Sequence, residues 1–180
     1  MKKLLIILLI SSLFSQSNVK ITEAKISYTG NHPFHSWTGI SSDLSLELNC
    51  REKNKTCDYI YSIPWVNFNS GNDNRDNNML YYVNAYEFQN IEMTFNNVQL
   101  NSLQHDNTEV LSLDGTLSIA GINNKISVPL NIEIINSHFN VQSEFIIKLS
   151  DYQIERPTLL MIPIKNEVIV KIIISGLFIF

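Results

Sequence analysis

The 180-residue chain has no apolar run long enough to cross a bilayer as a helix, no basic cluster, and only two cysteines. Each absence removes a class of function. Leu4 to Ile10 is too short for a span, and the apolar tail from Val168 to Phe180 is interrupted by Lys171, Ser175 and Gly176. Thirteen basic residues against 17 acidic ones leave a net charge of -4. With no basic patch carrying interleaved aromatics, the chain lacks the electrostatic footprint of nucleic-acid binding. No nucleophile elbow, glycine-rich phosphate loop or paired-carboxylate signature occurs, so no catalytic residues are expected. Cys50 and Cys57 are too few for a zinc site, and His32 and His35 stand close together without a third ligand nearby. His105 and His138 are scattered, so no metal is expected. Glu155-Arg156 and Arg75-Asp76 read as structural or solvated ion pairs.

What is present begins with Met1-Lys2-Lys3 and the apolar run behind it, followed by small polar residues. This is the pattern of a secretory signal, here residues 1–17, with cleavage near Ser15 to Ser17. No cysteine follows the run that could carry a lipoprotein lipid. The remaining residues, 18–180, are enough for one domain with a real core and too few for two, at 44% hydrophobic residues overall. Export places the protein in the periplasm or outside the cell, where disulfides persist. Cys50 and Cys57 flank a charged loop between two strand-like runs, so a bridge across a hairpin end is expected.

From Glu23 onward the chain reads as short strands separated by turn residues. Leu44, Leu46 and Leu48 alternate with Ser45 and Glu47; Leu113, Gly115, Leu117 and Ile119 alternate with Asp114, Thr116 and Ser118. Ile126, Val128, Leu130, Ile132 and Ile134 continue the two-residue period, which gives each strand one apolar face. Asn123-Asn124 reads as a hairpin turn, Asn136-Ser137 as a second, and Lys165-Asn166-Glu167 as the turn into a final strand. One segment breaks the pattern. The polar run 72–78 gives way to Met79, Tyr82 and Val83 at helical spacing, so a short helix begins near Asn77 with Asp76 or Asn77 as its cap. Ile91, Met93 and Phe95 then resume strand alternation against Glu92 and Thr94. An all-β antiparallel barrel of about eight strands with one short helix accounts for these elements, and a β-sandwich is the competing arrangement.

Four segments, in order along the chain, resemble the YceI-like family of lipocalin-like periplasmic proteins that bind polyisoprenoids. They are Asn74-Arg75-Asp76 with Met79, Phe88-Gln89-Asn90-Ile91 leading to Phe95, Leu113-Asp114-Gly115-Thr116-Leu117-Ser118-Ile119-Ala120-Gly121, and Ser150-Asp151-Tyr152-Gln153-Ile154. Gln89 replaces the family's usual proline, and Gln153 its usual glycine. The resemblance implies a lipocalin-like barrel around an apolar tunnel, no required cofactor, and a bound polyisoprenoid or isoprenoid quinone. The isoprenoid lipid is then the partner, with transient contact to a membrane or membrane protein for loading. On this reading the tail-binding residues are Trp65, Phe68, Met79, Tyr82, Phe88, Ile91, Met93, Phe95, Leu117 and Ile119, since aromatics and Met adapt to a flexible chain. A ligand-free exported barrel that binds another protein is the alternative.

Overall fold

The computed structural model describes residues 18–51, 56–99 and 107–179. The expected signal at 1–17 lies outside them. The described chain forms β1 (Asn18–His32), β2 (His35–Ser41), β3 (Ser45–Arg51), β4 (Thr56–Pro64), α1 (Asp73–Tyr82) and β5 (Asn90–Gln99). It continues through β6 (Asn107–Ile119), β7 (Ile122–Ile135), β8 (His138–Lys148), the two-residue strands β9 (Thr158–Leu159) and β10 (Ile162–Pro163), and β11 (Glu167–Ile179).

Nine of these strands make one antiparallel sheet in the order β2-β1-β11-β8-β7-β6-β5-β4-β3. Laid flat, nine strands would hold their edges roughly 38 Å apart at the usual strand spacing. The edges are β2 and β3, joined only by Ser42, Asp43 and Leu44, a connection that reaches at most about 14 Å. The sheet therefore curls far enough to bring its two edges near each other at this connection. Asn69 bridges to Ile40 by two backbone hydrogen bonds of 2.9 Å, and Asn67 Nδ2 donates to Asp43, which ties the seam to the segment after β4. The result is the lipocalin-like antiparallel β-barrel expected from the alternation, with nine strands in place of about eight. The His32-Pro33-Phe34-His35 segment is the turn of the β1–β2 hairpin, with His32 and His35 as its closing pair.

Two local expectations are corrected. The helix starts a turn earlier, at Asp73, and its cap is Asn72, whose Oδ1 accepts from Arg75 N–H at 3.0 Å. In a run of Asn and Asp many side chains can cap, and composition does not choose among them. The β6–β7 turn is Ala120-Gly121, both left-handed, while Asn123 and Asn124 pair with Ser118 and Leu117 inside the ladder. Gly121 suits that place because the Phe88 ring lies over it, and an added Cβ would stand 2.4 Å from Phe88 Cζ. Asn124 instead donates from Nδ2 to the Asp151 carbonyl at 2.7 Å. The other two turns stand as read: Asn136 and Ser137 are left-handed between β7 and β8, and Glu167 opens β11.

The Cys50–Cys57 disulfide is formed and staples directly opposed residues of the β3–β4 hairpin. Beside it Arg51 holds Asp58 with two hydrogen bonds, 3.0 and 2.6 Å, and Asn97 N–H donates to the same carboxylate at 2.8 Å. The Arg51 hydrogen bond first, and the Asn97 N–H next, hold the Asp58 carboxyl below the ordinary aspartate value. That contribution to stability is present above the unfolded-state pKa and fades as pH falls through the depressed folded one.

Candidate functional site

Register places the β1–β2 turn, the β4–β5 connection with α1, the β6–β7 turn and the β8–β11 connection with the β9–β10 hairpin at one end of the barrel. Inward side chains near that end do not fill the interior. They enclose a cavity of ≈ 400 Å³, in the range of small-molecule sites. Its walls are almost wholly apolar. α1 contributes Asn74, Arg75, Asn78, Met79 and Tyr82, which recur at helical spacing on one face, and Val83 follows as its C-cap. A second, smaller apolar cavity of ≈ 90 Å³ lies toward the opposite end, lined by residues including Ile21, Leu46, Tyr61, Val141 and Ile174.

Of the residues expected to contact a tail, Trp65, Phe68, Met79, Tyr82, Ile91, Met93, Leu117 and Ile119 all face the larger cavity. Phe88 and Phe95 do not. Phe88 is taken up by the β6–β7 turn, where its ring covers Gly121. Phe95 is buried in the core against Tyr61, with ring centroids 6.2 Å apart. Alternation gives the side of the sheet a residue faces but not its height along the barrel. The opposite wall was not foreseen: Ile26 and Tyr28 of β1, Phe145 and Ile147 of β8, and Val168, Val170 and Ile172 of β11. Their alternation was visible, but only closure of the sheet brings them across from Met93 and Leu117.

Asp76, Arg75 and His32 near the helix have structural partners, whereas the buried Tyr28 hydroxyl, Trp65 Nε1 and Ser70 hydroxyl have no hydrogen-bond partner among the described residues. Asp76 accepts from Ser70 N–H with both carboxylate oxygens, 3.2 and 3.1 Å, which fixes the chain just before the helix cap. Arg75 lies over the Trp37 ring, 5.5 Å from its centroid. His32 is buried and satisfied at both nitrogens, accepting from Phe34 N–H at Nδ1 (3.4 Å) and donating from Nε2 to the Ile162 carbonyl (3.1 Å). The Tyr28 hydroxyl is pushed up to about 12, by burial first and then by the Asp76 charge, so it stays protonated at neutral pH. Among the described residues no group of three or more His, Cys, Asp or Glu could hold a metal ion. Asp76→Ala should lower stability by about 1–2 kcal/mol, the cost of an orphaned N–H at a helix entrance, and leave the cavity walls in place. Urea unfolding checks this; an unchanged midpoint with ligand uptake abolished would make Asp76 a recognition residue.

The profile of the YceI-like domain matches residues 16–175 of the chain. The chain belongs to the YceI-like family. Solved structures share its fold despite low sequence identity. A polyisoprenoid-binding domain from Saccharophagus degradans, implicated in plant cell wall breakdown, is 16% identical, with a TM-score of 0.74 over 91% of this chain and 100% of its own. BcnA of Burkholderia cenocepacia is 13% identical (TM-score 0.67; 84% of this chain, 95% of that one). The Campylobacter jejuni YCEI protein is 17% identical (TM-score 0.57; 76% and 82%). No curated protein matches in sequence. Gln153 is left-handed, φ 55°, a conformation glycine adopts without strain, so the chain keeps the backbone shape of that turn with a residue that carries a Cβ.

Proposed function

We propose that this YceI-like protein binds the hydrocarbon chain of an isoprenoid lipid, a polyisoprenoid or an isoprenoid quinone, in the larger cavity and sequesters or carries it. The observation that carries this reading is a ≈ 400 Å³ apolar space left unfilled at one end of the barrel, far larger than the ≈ 90 Å³ gap toward the other end. A fold selected only to be stable would fill it, since empty apolar volume destabilises by lost contacts. Binding is driven by removing hydrocarbon from water, about 0.8 kcal/mol per CH₂ before chain ordering is subtracted. On this reading the protein holds the lipid, and any chemistry on it belongs to a partner. The basic-apolar start and the disulfide support an exported location, periplasmic or secreted, and transient contact with a membrane or membrane protein would supply and receive the lipid.

Organic extraction of the purified protein followed by mass spectrometry tests the proposal. A stoichiometric isoprenoid is expected. Protein that yields none, and takes none up when offered a long-chain prenol or quinone, would leave the reading of a ligand-free barrel that binds another protein.

A further inference from the structure

The two apolar cavities lie one behind the other inside the same barrel, and the layer between them can be read strand by strand. On β1, Ile26 lines the larger cavity, Ile21 the smaller, and Ala24 between them lines neither. On β8 the sequence is Phe145, Ser143 and Val141, with Ser143 in the middle position. On β11, Ile172 and Ile174 are consecutive inward residues and belong to different cavities. On β5, Met93 lines the larger cavity, and the next inward residue, Phe95, lines neither.

This dividing layer is buried, with Phe95 4% exposed and Ala24 and Ser143 8% each. Ala24 and Ser143 are short, and Val128 of β7, fully buried, also lines neither cavity. Phe95 is the largest side chain in the layer. Two neighbours fix its ring. Tyr61, which lines the smaller cavity, meets it edge-on with an interplanar angle of 79°. Gly115 on β6 gives it a bare stretch of backbone to lie on: a Cβ there would stand 2.7 Å from Phe95 Cδ1 and 2.6 Å from the Thr94 carbonyl oxygen. A glycine inside a strand, where it weakens the sheet, is accounted for by this close approach.

We infer that Phe95 is the septum that limits how long a hydrocarbon chain the larger cavity accepts, and that the smaller cavity is the distal subsite a chain enters when the ring is removed. This rests on the isoprenoid reading above and adds a determinant of chain length to it. Larger and smaller cavities hold ≈ 400 and ≈ 90 Å³, so joining them, with the volume of the phenyl ring added, lengthens the accepted chain by about one or more isoprene units.

The test loads the protein with an equimolar mixture of all-trans prenols of increasing length and reads the retained distribution by mass spectrometry. Wild type should show a sharp upper cut-off. Phe95→Ala should move the cut-off to longer chains, and adding Val141→Phe, which refills the smaller cavity, should move it back. If Phe95→Ala does not fold, Phe95→Leu opens the septum with less loss of packing and should shift the cut-off in the same direction. An unchanged cut-off in a folded Phe95 variant overturns the septum and leaves the isoprenoid reading intact. Wild type that retains no prenol of any length overturns the isoprenoid reading, and the septum with it.

Discussion

Met93→Trp should fold and carry about tenfold less isoprenoid than wild type when lipid is limiting. Met93 is buried on β5, faces the larger cavity, and pairs with Tyr61 on one side and Leu117 on the other. A tryptophan there stays apolar but occupies space the tail would use. Displacing about two methylenes of tail forfeits roughly 1.6 kcal/mol of burial, which is close to tenfold in binding. Overpacking costs about 1–3 kcal/mol on its own account, so a melting curve must accompany the lipid assay. Glu92→Trp is the control, since Glu92 is exposed on the outer face of the same strand and its replacement should leave lipid content unchanged. Equal lipid in wild type and a well-folded Met93→Trp protein would place the ligand elsewhere.

Removing the disulfide should have the largest effect on stability. The bridge closes a loop with a sequence separation of 7, for which the chain-entropy account gives about 2.5 kcal/mol. For a domain of this size that is a fall of roughly 5–10 °C in melting temperature. Cys50→Ala with Cys57→Ala, rather than serine, avoids placing a hydroxyl at Cys57, which has no exposed surface. Lipid content at temperatures well below the transition should be preserved, because neither cysteine lines the larger cavity. A double variant that melts with wild type would show that the hairpin is held by its ladder and by the Arg51–Asp58 pair alone.

Much of the barrel was legible because a two-residue period fixes which side chains point inward. Met93, Leu117 and Ile119 were placed on the cavity face by that rule, and they are there. The same rule put Phe95 inward, which is correct, but it carries no information about where along the axis the packing is complete and where it is left open. Phe88 failed for a different reason. It precedes the strand and answers to the bare turn at Gly121, a partner in a different hairpin. The Asn123-Asn124 pair tolerates left-handed backbone but sits in the ladder, because Ile119 and Ile122 close the hairpin before it. The wall contributed by β1, β8 and β11 depends on contacts between distant parts of the chain, which a local pattern cannot supply.

Several turns are built from residues poorly suited to them. Ala120, Gln153, Leu160 and Met161 all hold positive φ, between 50° and 65°, a conformation that disfavours residues with a Cβ by about 1–2 kcal/mol each. None of the four lines the larger cavity. For an engineer who wants a more durable barrel, the improvement lies in the turns: glycine or asparagine at Gln153, Leu160 and Met161 should raise heat resistance with the walls of the larger cavity untouched. Turn strain and the walls of the larger cavity therefore reside in different residues, so either can be altered with the other left as it is.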